Sequence, residues 1–396
     1  MNDLDPVFLS YRHSDGDPIA DRAVWVLRAH GVPVWHDQTH LLPGQFSRRL
    51  QEALDSGLSG AVLLVTPDME HSDIVRDIEL PALLRMEADS AFTFAIGSVI
   101  TGPGGGLDYD APDRLLPQPG WALRDFDQFR VTDHAGLSAL AAEMAARRVR
   151  RAATDGRLVL DIQTRLPALG TVKAPLAVRT RPPVPGASVP PPKAWEDLAP
   201  FLGDLPRLLQ AAGVRHLHVT GGAHLSMALA LGAAVPTTTG LTVTIADQTG
   251  VEWGVGNDPA VRLIEEEIVL EGDEDDPVAV YLDLVDTPPN KGFRKHVEGG
   301  RFSRAVEIAV ADRVPIPAGA GLALVRILRQ RIAELAAGRP VHLFQRVPFP
   351  MAVLLGRACN TLRLHVYEWE RDAEAPGYVE AAVISPGRSG GPVVPK

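Results

Sequence analysis

Cysteine is nearly absent from this 396-residue chain, where Cys359 stands alone. A single thiol forms no internal disulfide and no thiolate metal cluster, so burial must hold the fold together. Cys359 is itself expected as a free buried thiol. Also missing is any apolar run near the ~18 residues of a membrane helix. The opening MNDLDPVF lacks the basic-then-apolar pattern of a secretory signal, and the chain is read as cytoplasmic. Positive charge is in deficit, with 39 Lys and Arg against 49 Asp and Glu, a net −10. That argues against a broad phosphate-tracking surface for duplex DNA or RNA, yet leaves room for a small anion held by a few local donors.

What is present is the profile of a folded domain protein, 45% hydrophobic and 22% charged, with length for two or three domains. Gly and Pro are abundant but cluster in loops. To about residue 152, short apolar runs alternate with helical stretches. PVFLSY (6–11), VPVWH (32–36), GAVLLVT (60–66) and SAFTFAIGSVI (90–100) read as strands. DRAVWVLRAHG (21–31), FSRRLQEALDSG (46–57), SDIVRDIELPALL (72–84) and GLSALAAEMAARRVRR (136–151) read as helices. Such alternation predicts an α/β fold with a parallel sheet covered on both faces.

From about residue 155 the chain echoes itself. LHVTGGAHLSMALALG (217–232) is similar to LFQRVPFPMAVLLG (343–356), and both end in Met-Ala-x-x-Leu-Gly. A strand follows each helix, at 241–253 and 361–369. A strand and long helix precede each, LVLDI (158–162) with 195–212 and VEIAVA (306–311) with 319–337. Two tandem strand–helix–strand–helix–strand units is the economical reading.

Two constellations carry chemistry. Ligands of parallel sheets bind beyond the carboxyl ends of the strands. There the first strand ends on Ser10, Tyr11, Arg12 and His13, four hydrogen-bonding side chains in a row. The second strand runs into HDQTHLLPGQF (36–46), with Asp37, Gly44 and Phe46. The helix after the third carries Glu79 between Ile78 and Leu80; the helix alone reads as leaving it solvated, the alternative being a face less solvated than that of Asp73, Asp77 or Glu87. In the second region, Gly221 and Gly222 lie between a strand and a helix N-terminus, where bare N–H groups suit an anion. The stretch has neither the P-loop lysine nor the dinucleotide spacing.

VFLSYRHSDG, VWHDQTHLLPGQF and SDIVRDIEL resemble, in order and spacing, the signature segments of a TIR domain. The resemblance covers about residues 5–150 and implies a flavodoxin-like fold over 1–152. In NAD-cleaving members it makes Glu79 the catalytic carboxylate. Ser10, Tyr11, Arg12 and His13 then line the nucleotide cleft, and Asp37, Gly44 and Phe46 belong to the BB loop. Val75 and Leu42 stand where several NAD-cleaving members carry an aromatic residue and an acid. The alternative is a non-catalytic adaptor TIR domain that signals through TIR–TIR contacts, which needs neither Glu79 nor the polar cluster.

A duplicated α/β region behind a TIR domain is similar to a SAVED domain, two fused CARF-like, Rossmann-like halves. It would occupy 153–396, with halves at about 155–286 and 300–396. The resemblance implies a cyclic tri- or tetranucleotide as activator, NAD+ as substrate rather than cofactor, head-to-tail self-association, and a role in CBASS or CRISPR-linked anti-phage defence. Thr220, Gly222 and His224 from one half and Gln345, Arg346 and Phe349 from the other are the expected ligand contacts. Lys193 offers a phosphate partner and Trp195 a stacking surface. GRSGGP (387–392) reads as a flexible tail, or a lid carrying Arg388 to the nucleotide. Lys291, Arg294 and Lys295 read as a solvated face. His216 and His218, without carboxylates, are weak evidence for zinc, and no metal is expected.

Overall fold

The computed structural model describes residues 4–35, 57–165, 173–286, 291–385, 387–388 and 390–396. The chain forms two units, Met1–Thr154 with Lys173–Arg179, and Asp155–Val172 with Thr180–Lys396. Among the described residues no helix is long and apolar enough to cross a membrane.

In the first unit, β1 (Val7–Ser10) leads to α1 (His13–Ala29), β2 (Val34–Trp35), β3 (Gly60–Val65), α2 (Leu80–Glu87) and β4 (Thr93–Ser98). Then come α3 (Ala111–Leu115), β5 (Gln128–Arg130) and α4 (His134–Ala152). The strand order β2-β1-β3-β4-β5, parallel throughout, is the flavodoxin-like order. β3 is buried along its whole length because helices cover both faces. α1 closes on Gly31, whose φ of 78° is the left-handed position glycine fills most readily. α4 opens on Asp133, whose carboxylate accepts the Gly136 N–H at 2.8 Å.

Two features differ from the sequence reading. A fifth strand, β5, is too short at three residues for its pattern to register. The helix expected over 72–84 forms, but its turn at Val75–Glu79 is a wide π turn that runs into α2, and a 3₁₀ turn at Pro67–His71 precedes it. The helix expected over 46–57 lies, up to residue 56, outside the described residues.

The chain then forms β6 (Arg157–Gln163), in the second unit, and β7 (Leu176–Arg179), in the first. The rest of the second unit builds two sheets. In one, α5 (Pro192–Ala211) precedes β8 (His216–Gly222), α6 (Leu225–Ala234), β9 (Thr242–Ala246) and β10 (Glu252–Trp253). Here β8 is parallel to both β6 and β9, and β10 is antiparallel to β9.

The other sheet uses β11 (Leu263–Ile268), β12 (Val278–Asp283), α7 (Gly292–Glu298), β13 (Arg304–Val310) and α8 (Gly321–Ala336). It continues with β14 (Val341–Arg346), α9 (Phe349–Ala358), β15 (Leu364–Glu370), β16 (Gly377–Ile384) and β17 (Val393–Pro395). Its order is β11-β13-β12-β14-β15-β16-β17.

The strand beside β14 is therefore β12, as β6 is beside β8. The segment 306–311 lies one place further out, within β13. The second sheet thus begins at residue 263, and the boundary read at 286–300 falls inside it. Chain order misleads here because a crossover can leave a slot for a strand on either side. The end of the stretch read as a flexible tail is paired: the Ser385 N–H donates to the Pro392 carbonyl at 2.7 Å, and Val393–Pro395 runs antiparallel to β16.

The repeated Met-Ala-x-x-Leu-Gly segments form α6 and α9, which pack on each other. A Cβ on Gly232 would stand 2.0 Å from the Val353 carbonyl oxygen, and one on Gly356 2.0 Å from that of Leu229. The two contacts join equivalent positions of the two repeated segments. Each glycine lets one helix backbone seat directly on the other.

Two outcomes follow for stability. Alanine in an ordinary helix gains about 1 kcal/mol over glycine; Gly232→Ala or Gly356→Ala should instead lose about 2 kcal/mol by overpacking, read by urea unfolding. His30, buried at the end of α1 with Nδ1–H donating to the Val26 carbonyl at 2.8 Å, is pushed down to about 4 by burial. An unfolded histidine takes its proton near 6.5. This residue's contribution is therefore full above pH ~6.5 and falls as pH drops toward 4. Urea midpoints should decline across that window, and less steeply in His30→Gln.

Candidate functional site

In the order β2-β1-β3-β4-β5 the chain leaves β1 to one side and β3 to the other. The resulting crevice opens at the carboxyl ends of β1 and β3. Ser10, the last residue of β1, is 1% exposed, and Glu79, closing the π turn, is 7% exposed. The Ser10 hydroxyl donates to Glu79 Oε2 at 2.7 Å. A carboxylate so placed is desolvated, yet keeps a hydrogen bond that favours its charged form. Asp73 and Asp77, on the same run, are exposed. π turns recur at functional sites, and this one sets the carboxylate at the crevice.

Neighbouring groups stiffen the crevice. Arg12 donates from Nη1 to the His71 carbonyl at 2.6 Å and from Nε to Ser14 Oγ at 2.8 Å. Ser14 Oγ donates to Asp68 Oδ2 at 2.8 Å. Asp15 accepts from Thr66 Oγ1 at 2.7 Å and from the Asp68 N–H at 2.9 Å. The loop after β1 is thereby fastened to the loop after β3. Tyr11 lies edge-on to His13 at 4.9 Å, and His13 Nδ1 is 2.8 Å from Asp17 Oδ1. Asp37, Gly44 and Phe46, with Leu42, lie outside the described residues. Val75 is buried among the β-sheet core residues and presents no surface to the crevice.

A second candidate site lies in the second unit. A cavity of about 1100 Å³ opens at the carboxyl ends of β8 and β14, where the two sheets of the second unit converge. Gly222 and His224 reach it from one sheet, and Gln345, Arg346 and Phe349 from the other. Arg346 Nη1 donates to Asp283 Oδ1 at 2.9 Å, and Asp283 also accepts from Arg313 at 3.1 Å. His224 has its Nδ1 2.8 Å from Thr164 Oγ1 and its Nε2 3.1 Å from the Ser188 carbonyl. Because that hydroxyl also accepts the His224 backbone N–H at 2.8 Å, its proton is left for Nδ1. Nε2 must then carry the ring proton. Burial holds the His224 pKa below its usual value.

The remaining expected contacts fall elsewhere. Thr220 lies outside the lining and donates from Oγ1 to Asp161 at 2.9 Å. Trp195 is 1% exposed, a core residue of α5 that offers no stacking surface. Lys193 and Arg388 are exposed and outside the lining. The α6 N-terminus is also not an open phosphate cradle, for the Ser226 N–H donates to Glu368 Oε1 at 2.6 Å. Gly221, with φ of 109°, is required because a Cβ there would lie 2.2 Å from the Ile162 carbonyl oxygen.

The aromatic wall is Trp369, edge-on to Tyr378 at 5.0 Å, and the further basic groups are Arg165 and Arg371. The sequence signal for Trp369 was its place at the end of β15, a strand that no helix follows. His216 and His218 both contact Thr244 Oγ1, at 3.0 and 2.8 Å. Among the described residues no group of three or more His, Cys, Asp or Glu could hold a metal. Arg294 is paired with Glu266 and Glu307. Cys359 is buried, and burial raises its thiol to about 12.

Residues 7–96 match the TIR domain model, and residues 202–384 match that of the SMODS-associated and fused to various effectors sensor domain, SAVED. The chain is a TIR–SAVED fusion. No curated protein matches it. Among solved structures it is similar to the Acinetobacter baumannii Cap4 SAVED/CARF-domain containing receptor with the cyclic trinucleotide 2′3′3′-cAAA. That match has 10% identity and a TM-score of 0.44, over 93% of this chain and 98% of that one. The same receptor with 3′3′3′-cAAA gives 10% identity and 0.45, over 93% and 99%. The Moraxella osloensis Cap4 receptor gives 13% and 0.40, over 92% and 97%.

In this TIR–SAVED fusion the hydrogen bond from Ser10 is a buried donor to a carboxylate, a class worth about 1.5–3 kcal/mol. Ser10→Ala should lower urea-unfolding stability by about that much, whereas an exposed control such as Ser90→Ala should stay within about 0.5 kcal/mol.

Proposed function

We propose that the TIR–SAVED fusion is a NAD+ glycohydrolase that a cyclic oligonucleotide switches on through self-association, acting in the cytoplasm in anti-phage defence of the CBASS or CRISPR-linked kind. The observation that carries the proposal is the buried Glu79 carboxylate, held by Ser10 at the crevice of the flavodoxin-like sheet. Cleavage of the bond between ribose C1′ and the nicotinamide nitrogen sends the bonding pair to a neutral leaving group. No acid is needed to protonate it, unlike the two-carboxylate glycosidases. The ribosyl cation that develops is stabilised by one negative group fixed beside it. Water then adds to C1′ and gives up a proton, yielding ADP-ribose. NAD+ is the substrate, and Tyr11, Arg12 and His13 form the wall that would meet its ribose and phosphates.

A cyclic tri- or tetranucleotide would occupy the cavity of the SAVED domain. Its phosphates suit Arg165, Arg346 and Arg371, and its bases suit Trp369 and Phe349. The ligand can shift assembly only by how much better it binds the assembled form. A heterologous, non-closing contact gives a filament, in which the 36–46 loop of one copy would complete the crevice of the next.

The decisive experiment mixes the full chain with NAD+ and a panel of cyclic oligonucleotides. Cleavage is expected with one ring and not without it, falling at least ~10²-fold in Glu79→Gln. Ring-dependent assembly without nicotinamide release would instead support a non-catalytic sensor and scaffold that signals through TIR–TIR contacts.

A further inference from the structure

One wall of the SAVED cavity is built by neither sheet. The segment RPPVPGASVPPP (181–192), which leads from β7 into α5, supplies it, with Pro183 to Ser188 in the lining. Its tip is a tight turn. The Ala187 N–H donates to the Val184 carbonyl at 3.0 Å, with Pro185 next and Gly186 at φ of 82°. Proline followed by a positive-φ glycine is the type II pattern, with little freedom left to lose. Val184 at this tip is 58% exposed, an apolar group set at the rim of a cavity.

The segment is fastened at both ends. At its start Arg181 Nε donates to the buried Asp197 at 2.7 Å. At its end stands Ser188, whose N–H donates to Glu370 Oε1 at 2.9 Å and whose hydroxyl donates to the same oxygen at 2.7 Å. Glu370, only 8% exposed, also accepts the N–H groups of Val189 at 3.3 Å and Asp372 at 3.0 Å. Ser188 Oγ in turn accepts the Arg371 N–H at 2.8 Å, and its carbonyl accepts His224 Nε2–H at 3.1 Å. Ser188 is thus bound to the end of β15 from one sheet and to the N-cap of α6 from the other. A buried carboxylate saturated by a loop's own N–H and O–H groups is a costly arrangement for a mere connector. Prolines and a fixed turn at a cavity rim reduce the entropy a ligand must remove on binding.

We propose that Ser188 is a positioning residue for the ligand cavity, holding the 182–187 turn as a preformed wall against which the bases of a cyclic oligonucleotide pack. The proposal rests on the reading of this cavity as the oligonucleotide site. The wall makes no chemistry of its own. It raises affinity by slowing release, because a preformed surface lost from the complex mainly speeds dissociation.

The test uses the full chain, wild type, Ser188→Ala and Ser188→Thr, with cyclic tri-adenylate and cyclic tetra-adenylate as probes. Ser188→Ala should bind the responsive ring about 10-fold more weakly, chiefly in the dissociation rate. Ser188→Thr, which keeps the hydroxyl, should stay within about 3-fold of wild type. Half-maximal nicotinamide release should need about 10-fold more ring in Ser188→Ala and stay within about 3-fold of wild type in Ser188→Thr. In the free chain, amide exchange at Ala187, Ser188 and Val189 should rise about 10-fold in Ser188→Ala while β8 exchanges as before. Wild-type affinity in Ser188→Ala, or unchanged exchange at those amides, overturns the proposal. If neither ring binds wild type, the oligonucleotide reading and the ligand part of this proposal fall together, and the exchange comparison still judges whether Ser188 holds the turn. If the ring binds as expected but no nicotinamide is released, the NAD+ reading fails and the assignment of Ser188 stands.

Discussion

At Gly232 and Gly356 two helix backbones touch with no side chain between them. Everything in the SAVED domain is arranged around that contact. It places α6 and α9 side by side, and each helix starts at the carboxyl end of its own central strand, β8 and β14. The two strand ends are therefore brought to one place, and the cavity is the space they leave. The sequence echo that first marked the duplication is thus a packing signature. Met, Ala and Leu fill the apolar faces, and the closing glycine permits the approach that a Cβ would block by clashing with a carbonyl oxygen.

The TIR domain relies on a different economy. Its parallel sheet sends β1 and β3 to one edge of a crevice, and a π turn carries Glu79 to the same spot. Burial raises the free energy of a lone carboxylate, and the Ser10 hydroxyl offsets part of that. The loops on either side are tied by Arg12, Ser14, Asp15 and Thr66 rather than left to find their places when substrate arrives. A site this sparse is compatible with the proposed cleavage, whose leaving group is neutral and whose demand is for one fixed negative charge.

The SAVED cavity is not a simple basic bowl. Arg165, Arg346 and Arg371 share its lining with Asp247, Asp286, Glu368 and Asp372. Glu368 occupies the helix N-terminus that glycine-rich spacing had marked for phosphate. Burial alone would raise the Asp247 carboxyl, but hydrogen bonds from Thr249, Trp253 and the backbone hold it below its usual value. For the ligand proposed above, acids of this kind would suit the amino edges of bases and the arginines the phosphates, so recognition would be by position rather than by net field.

Composition and periodicity were enough for the α/β class, the parallel character of the first sheet and the existence of a duplicated second region, because apolar runs and helical spacing are local signals. They marked Ser10, which ends a buried strand, but from the helix alone Glu79 reads as a solvated position, and its neighbour Ile78 is 43% exposed; the resemblance to TIR domains is what singled Glu79 out. Tertiary structure alone decided the rest. Strand adjacency made β12 rather than 306–311 the partner of β14, because crossovers do not record which side they land on. Packing sent Trp195 into the core and Trp369 to the cavity, and indoles have the same composition in both places. A carboxylate from β15 took the helix end that the glycines seemed to leave open, and Ser188 became a node because residues 36 and 182 positions away in sequence meet at its hydroxyl, N–H and carbonyl.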